Sequence, residues 1–284
     1  MSIVVTGATG HLGRHVVEQL LEKVPADRIT AVVRTPEKAA DFADRGVRVA
    51  VADYNAPETF QGLFSAGDKV LLISGNEFDK GRVGQHEGVL DAAKAAGVAL
   101  FAYTSAPGSL KAALADDHRG TEEAILASGV PYVLLRNGWY NENYTEQLTP
   151  VLEHGAVVQA AGEGRVASAA RADYAAAAVA VLTGEGHENK TYELSGDTAW
   201  GFAEYAAELS EQTGQEIAYN PVTVEALTGI LTGVGLPEPV AAMLAGVDAS
   251  IEKGELAVTT GDLSRLTGRP TTPIAESVAV ALKG

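Results

Sequence analysis

Three glycines, Gly7, Gly10 and Gly13, follow the β-branched run Ile3-Val4-Val5 at intervals of three. Directly after them Val16, Val17, Leu20, Leu21 and Val24 recur at helical spacing, and Pro25 marks the end of that helix. A strand that turns at once into a helix needs residues without a Cβ, and the first amides of the helix then face an anion-binding pocket. The spacing G-x-x-G-x-x-G keeps only the last two glycines of the usual dinucleotide fingerprint. Its place, at the first strand-to-helix turn of a series of such units, is nevertheless where a dinucleotide pyrophosphate binds. The alternative is a turn that merely packs helix on strand.

Arg34 closes the next strand, Ile29-Thr30-Ala31-Val32-Val33. An acidic side chain at that point would bind the adenosine ribose hydroxyls, whereas a basic one would meet a 2′-phosphate with a planar, bidentate fork. Position alone fits a solvated surface charge equally well. On a chain with 21 Lys and Arg against 37 Asp and Glu, a net charge of −16, a cation at the ribose pocket favours NADP(H). Asp53, after the third strand, has two readings, a partner for the adenine amino group or a turn and N-cap residue. Ile73-Ser74-Gly75 ends the fourth strand, where small residues let a cofactor approach the backbone.

Proton chemistry is conspicuous by an absence. None of the 9 tyrosines has a lysine four residues on, so the Tyr-x-x-x-Lys pair that moves a proton in ordinary short-chain alcohol dehydrogenases is missing. That suits an acceptor needing little help with its proton, such as a quinone. After the sixth strand comes Arg136-Asn137-Gly138-Trp139-Tyr140-Asn141-Glu142-Asn143-Tyr144, at the sheet end where the nicotinamide would lie. Its amides can bond a carboxamide or a quinone carbonyl, and its flat rings can stack on flat acceptors. The competing reading makes Trp139 and Tyr140 core residues and the asparagines helix caps. The 6 histidines show no metal-ligand spacing and Cys is absent, so no metal site is expected. His11, inside the glycine loop, is expected to act through its backbone. Asp116-Asp117-His118 fits a proton donor or an acidic helix start. Ser168 and Arg171-Ala172-Asp173-Tyr174 open a helix that either returns to the cofactor or is simply capped.

These residues must be carried by alternating elements. Strand candidates at 3–5, 29–33, 47–51, 69–73, 100–103 and 132–135 alternate with amphipathic segments near 37–44, 57–65, 85–97 and 117–128. That pattern predicts an α/β fold, a Rossmann-type doubly wound parallel sheet covered on both faces. Beyond residue 140 the rhythm lengthens, with helices at 171–183, 201–213, 223–234 and 237–252 and short strands at 157–160, 191–194 and 216–219. Residues 1–140 are therefore expected to form the NADP-binding core, and 141–284 a smaller, mainly helical substrate lobe with later segments returning to the core. No linker, repeat or low-complexity segment divides the 284 residues. The acidic surface argues against nucleic acid and anionic membranes as partners. No apolar run matches a membrane span, and the opening Ser2-Ile3-Val4-Val5-Thr6 lacks a signal peptide's basic region, so a reducing cytoplasm is expected. A homodimer is compatible with all of this and required by none of it.

With these residues placed, the chain resembles the NmrA-like, atypical branch of the short-chain dehydrogenases, and most closely the bacterial type 2 NADPH:quinone oxidoreductases. The resemblance runs end to end. It is carried by Thr6-Gly7-Ala8-Thr9-Gly10-His11-Leu12-Gly13, Ala31-Val32-Val33-Arg34, Leu134-Leu135-Arg136-Asn137-Gly138-Trp139-Tyr140 and Ala170-Arg171-Ala172-Asp173-Tyr174. It implies NADPH held by Gly7, Ala8, Thr9, Gly10, His11 and Leu12, by Arg34, by Ile73, Ser74 and Gly75, and by Asn137, Gly138, Trp139, Tyr140 and Asn143, with Ser168 as a further contact. It also implies Asn143 as the catalytic position beside quinone and nicotinamide, and direct hydride transfer without flavin or metal. The segment Gly75-Asn76-Glu77-Phe78-Asp79 and the loop Ala106 to Lys111 depart from that family's pattern. Gly186-His187-Glu188-Asn189-Lys190-Thr191-Tyr192 is similar to the triphenylmethane dye reductases, which leaves a dye or another conjugated acceptor as one alternative. A non-catalytic NADP(H) sensor that engages a protein partner is the other.

Overall fold

The computed structural model describes residues 2–77 and 81–283, so Phe78 and Asp79 of the departing segment lie outside the described residues. In chain order the elements are β1 (Ile3–Thr6), α1 (His11–Leu21), β2 (Ile29–Val33), α2 (Ala40–Asp44), β3 (Arg48–Val51), β4 (Lys69–Leu72), α3 (Arg82–Ala96), β5 (Leu100–Ser105), α4 (Asp116–Ser128) and β6 (Tyr132–Asn137). There follow α5 (Glu142–Thr145), α6 (Leu148–His154), β7 (Ala156–Gln159), β8 (Arg165–Val166), α7 (Arg171–Thr183), β9 (Lys190–Leu194), β10 (Trp200–Gly201), α8 (Phe202–Thr213) and β11 (Ala218–Pro221). The helices α9 (Val224–Gly233), α10 (Glu238–Glu252), α11 (Asp262–Thr267) and α12 (Ile274–Ala281) complete the chain.

Two compact units emerge. The first comprises the chain up to Ala106, then Asp116–Asn137 and Arg171–Glu193; the second comprises Pro107–Ala115, Gly138–Ala170 and the chain from Leu194 onward. Thus α7 and nearly all of β9 belong with the nucleotide-type sheet, although their positions in sequence lie far beyond residue 140. The sheet has seven strands in the order β3-β2-β1-β4-β5-β6-β9. The strands β1 to β6 pair in parallel throughout. The order reverses between β1 and β4, the switch point at whose carboxyl edge open α/β sheets bind ligands. Of the covering helices, α1 packs on α7 and α3 packs on α4, as helical crossovers between parallel strands require. Burial on both faces explains why β4 reads Val70-Leu71-Leu72 without alternation, since all three are fully buried.

One expected helix is different in kind. In place of a helix near 57–65 there is a single 3-10 turn, Pro57–Phe60. Phe60 and Phe64 still enter the core at their four-residue spacing, but Gly62, at φ +74°, breaks the helical path between them. In the second unit, Leu227 of α9 and Ala245 of α10 pack with Ala160 after β7 in one apolar cluster. Among the described residues no helix is long and apolar enough to cross a membrane.

Candidate nucleotide and acceptor site

The glycine loop is built by close approach. Gly7 takes φ +62°, and a Cβ on Gly13 would sit 2.2 Å from the Gly7 carbonyl oxygen and 2.8 Å from the Ala8 Cα. Only hydrogen at position 13 lets α1 start this near β1. Gly10 caps α1 without any side-chain hydrogen bond, so the first-turn amides of the helix have neither an intrahelical acceptor nor a capping group. A cradle of backbone donors without Cβ atoms fits a pyrophosphate.

Beside it, at the end of β4, lies a shelf. Its three successive amides each donate to a side chain: Ile73 to Thr6 Oγ1 at 3.2 Å, Ser74 to Thr104 Oγ1 at 2.9 Å and Gly75 to His86 Nε2 at 3.0 Å. The Tyr54 hydroxyl, 2.5 Å from Thr6 Oγ1, donates to the Ile73 carbonyl at 2.7 Å, and its ring stacks on Phe60. Burial pushes the Tyr54 phenol well above its ordinary range, so it serves here as a neutral strut. Proton positions behind the shelf follow from donor chemistry. Because Gly75 N–H donates to Nε2, His86 carries its proton on Nδ1 and donates to Thr121 Oγ1, which donates in turn to the Asp117 carbonyl. Arg82 can only donate, so His118 Nε2 accepts from it and His118 Nδ1–H meets the Tyr103 hydroxyl. Burial, and then the Arg82 charge, lower both His86 and His118 to about 3. The acidic run at Asp116 and Asp117 is the first turn of α4, and His118 is an internal brace.

Arg34 stands at the exposed corner. Its Nη1 lies 3.2 Å from Glu77 Oε1, and its side chain is 60% exposed. Asp53 forms the turn of its second reading, its Oδ1 accepting the Asn55 amide at 2.9 Å.

In the second unit the chain leaves β6 through Gly138, whose amide donates to the Leu194 carbonyl at 2.7 Å. The strand runs two residues further than expected, so Arg136 and Asn137 are strand residues. Arg136 is fully occupied by Glu122, with bonds of 2.9 and 2.6 Å, and by Glu193 at 2.7 Å. It braces β6 against α4 and β9. Asn141 is buried and structural: it donates to the Thr272 carbonyl and to Ser277 Oγ, and accepts from Ser168 Oγ at 2.6 Å. Ser168 in turn accepts from Trp200 Nε1 at 2.9 Å. Its hydroxyl is therefore committed within the second unit, and a cofactor role for Ser168 rests on the resemblance alone. Trp139, Tyr140 and Asn143 are half-buried, so the core reading fits Tyr144 instead, which packs edge-on against Trp200 and Phe202. Among the described residues no group of three or more His, Asp or Glu could hold a metal ion.

Sequence reasoning missed Thr6, Thr104 and His86 as holders of the shelf. Thr6 stood directly before the first glycine, the one local signal; the other two lie on elements far away in sequence.

An α/β chain whose glycine cradle and shelf meet at the switch point of the sheet defines a dinucleotide-binding protein. The chain belongs to the NAD(P)H-binding family, whose model matches residues 7–185. It is 46% identical to quinone oxidoreductase 2 of Escherichia coli strain K12 over 98% of this chain and 97% of that protein. The solved structure of the NADPH-dependent quinone oxidoreductase of Escherichia coli complexed with NADPH matches with a TM-score of 0.95, covering 99% of each chain at 46% identity. The Citrobacter triphenylmethane reductase complexed with NADP(H) matches with a TM-score of 0.94 at 44% identity, covering 99% of this chain and 100% of that one.

Proposed function

We propose that this protein is an NADPH-dependent quinone reductase. The observation that carries the reading is the end-to-end likeness to the Escherichia coli enzyme, 46% identity with 99% of both chains aligned. When bound, NADPH supplies a hydride to the quinone. One proton from solvent completes the hydroquinone, whose phenolic oxygens titrate near about 10 and need no strong acid to form. The missing Tyr-x-x-x-Lys pair is then no handicap. The residues of this chain act by binding and orientation: the α1 amides and the loop Gly7 to Leu12 take the pyrophosphate, the Ile73–Gly75 shelf backs the cofactor, and Arg34 takes the 2′-phosphate. The segment Asn137, Gly138, Trp139 and Tyr140 serves the nicotinamide end. The Asn143 amide orients the acceptor carbonyl.

A second acceptor class has its own support in the 44% identity to the triphenylmethane reductase and in the net charge of −16, which suits a cationic dye. For the sensor alternative, NmrA at 15% identity and a TM-score of 0.77 is a likeness in fold alone. The deciding experiment follows NADPH absorbance with purified protein and no added flavin, offering benzoquinone, a naphthoquinone or a triphenylmethane dye, with NADH in parallel. Quinone-dependent oxidation is expected; tight NADPH binding without turnover by any acceptor would remove the enzymatic reading. Asn143→Ala should lower turnover by about tenfold or more while NADPH binding stays nearly unchanged, as removal of an orienting contact does. Unaltered turnover takes Asn143 out of the site.

A further inference from the structure

The cation assigned to the 2′-phosphate is not presented alone. Glu77 Oε1 lies 3.2 Å from Arg34 Nη1, while Glu77 Oε2 accepts from Asn55 Nδ2 at 2.8 Å. Asn55 is itself fixed on both sides: its Oδ1 accepts from Gln85 Nε2 of α3 at 2.8 Å, and its amide donates to Asp53 Oδ1 at 2.9 Å. Gln85 is buried, so a chain of bonds running from the interior out to the surface aims the Glu77 carboxylate at Arg34. A carboxylate in that place acts with opposite sign on the two cofactors. It competes for the guanidinium with a dianionic 2′-phosphate and repels it, whereas it can accept a hydrogen bond from the 2′-hydroxyl of an unphosphorylated ribose.

We propose that Glu77 is a second determinant of cofactor choice, opposing Arg34: it holds back the preference for NADPH and lets the same corner admit NADH. The inference rests on the placement of the adenosine ribose at Arg34 in the proposed function. Selectivity is then set by a pair of opposite charges, not by the arginine alone.

The test compares kcat/KM for NADPH and NADH in the wild type, Glu77→Gln and Arg34→Ala, with equilibrium binding of adenosine 2′,5′-bisphosphate and 5′-AMP measured calorimetrically on the same proteins. Gln keeps an oxygen for Asn55 and removes the charge. Glu77→Gln should raise the NADPH-to-NADH ratio about fivefold and tighten the bisphosphate while 5′-AMP binding holds or weakens, with the gain shrinking as salt is added. An unchanged or lowered ratio in Glu77→Gln, alongside a selective loss of NADPH in Arg34→Ala, overturns the role of Glu77 and leaves the proposed site intact. Equal losses of both cofactors in Arg34→Ala overturn the placement of the ribose, and the role of Glu77 with it.

Discussion

The shelf at Ile73–Gly75 and the corner at Arg34 are parts of one unit, and they are held by different physics. Every amide of the shelf is bound by a side chain from another element, with two neutral histidines and a neutral tyrosine behind it. The corner is one ion pair between an exposed arginine and a half-buried glutamate, of the kind that contributes about 0–1 kcal/mol. Buried, directional bonds make a surface that is the same for any dinucleotide. The exposed arm of Arg34 is readily rearranged when a ligand arrives, and changing it costs little stability. Damage to the shelf should therefore weaken NADPH and NADH alike and lower stability, whereas changes at the corner should alter their ratio and leave stability alone.

The largest effect is expected at the close approach that sets the glycine loop beside the shelf. In Gly13→Val the new Cβ would fall 2.2 Å from a backbone oxygen, with no flexible side chain to give way. A loss of about 3 kcal/mol or more in stability is expected, with both nucleotides losing affinity together. A variant that melts like the wild type would mean that the loop can move away from α1 at little cost. Next comes His86→Leu. It strands the Gly75 amide and removes the donor to Thr121 Oγ1, which should cost about 2 kcal/mol by urea unfolding. If NADPH binding fell while NADH binding did not, shelf and corner could no longer be separated.

The histidines also give the shelf a pH signature. Their folded pKa values lie at about 3, below the roughly 6.5 of an unfolded chain. The lowered direction means that their stabilisation is fully present above about 6.5 and is lost as the pH falls from there toward 3. Each histidine should contribute up to roughly 1 kcal/mol per pH unit in that window. Unfolding free energies measured between pH 7 and 5 should decline less steeply in His86→Gln than in the wild type, by about one bound proton. Parallel slopes would show that His86 does not carry the dependence.

This contrast also marks what was legible from sequence. Gly7, Gly10 and Gly13 were readable because a strand-to-helix turn demands them locally, and Arg34 because the end of a strand is visible from its β-branched run. The shelf was not readable, because Thr6, Thr104 and His86 come from three elements and meet only when β1, β4 and β5 pair and α3 lies across them. His86 alone is one histidine in a helix. Similarly, Arg136 looked like part of a binding cluster until Glu122 and Glu193 closed on it from α4 and β9. Ser168 looked available until Asn141 and Trp200 took its hydroxyl. Local conformational demands appear in the residue string, while the partners of a polar side chain are a property of the assembled sheet.

The smallest stability effect belongs to the corner. Arg34→Ala removes a cation whose contact in the protein is a 3.2 Å pair with a side chain 60% exposed, so unfolding free energy should change by less than about 0.5 kcal/mol. The same substitution should cost NADPH at least about tenfold in affinity and NADH far less, if Arg34 makes the proposed bidentate, charge-assisted contact to the 2′-phosphate. The two numbers have to be read together. A large loss of stability would mean that Arg34 is part of the scaffold and that the loss of NADPH binding follows from damage to the fold. A small one, with the cofactor ratio changed, makes the corner a device for choosing the nucleotide, set on a shelf that binds either.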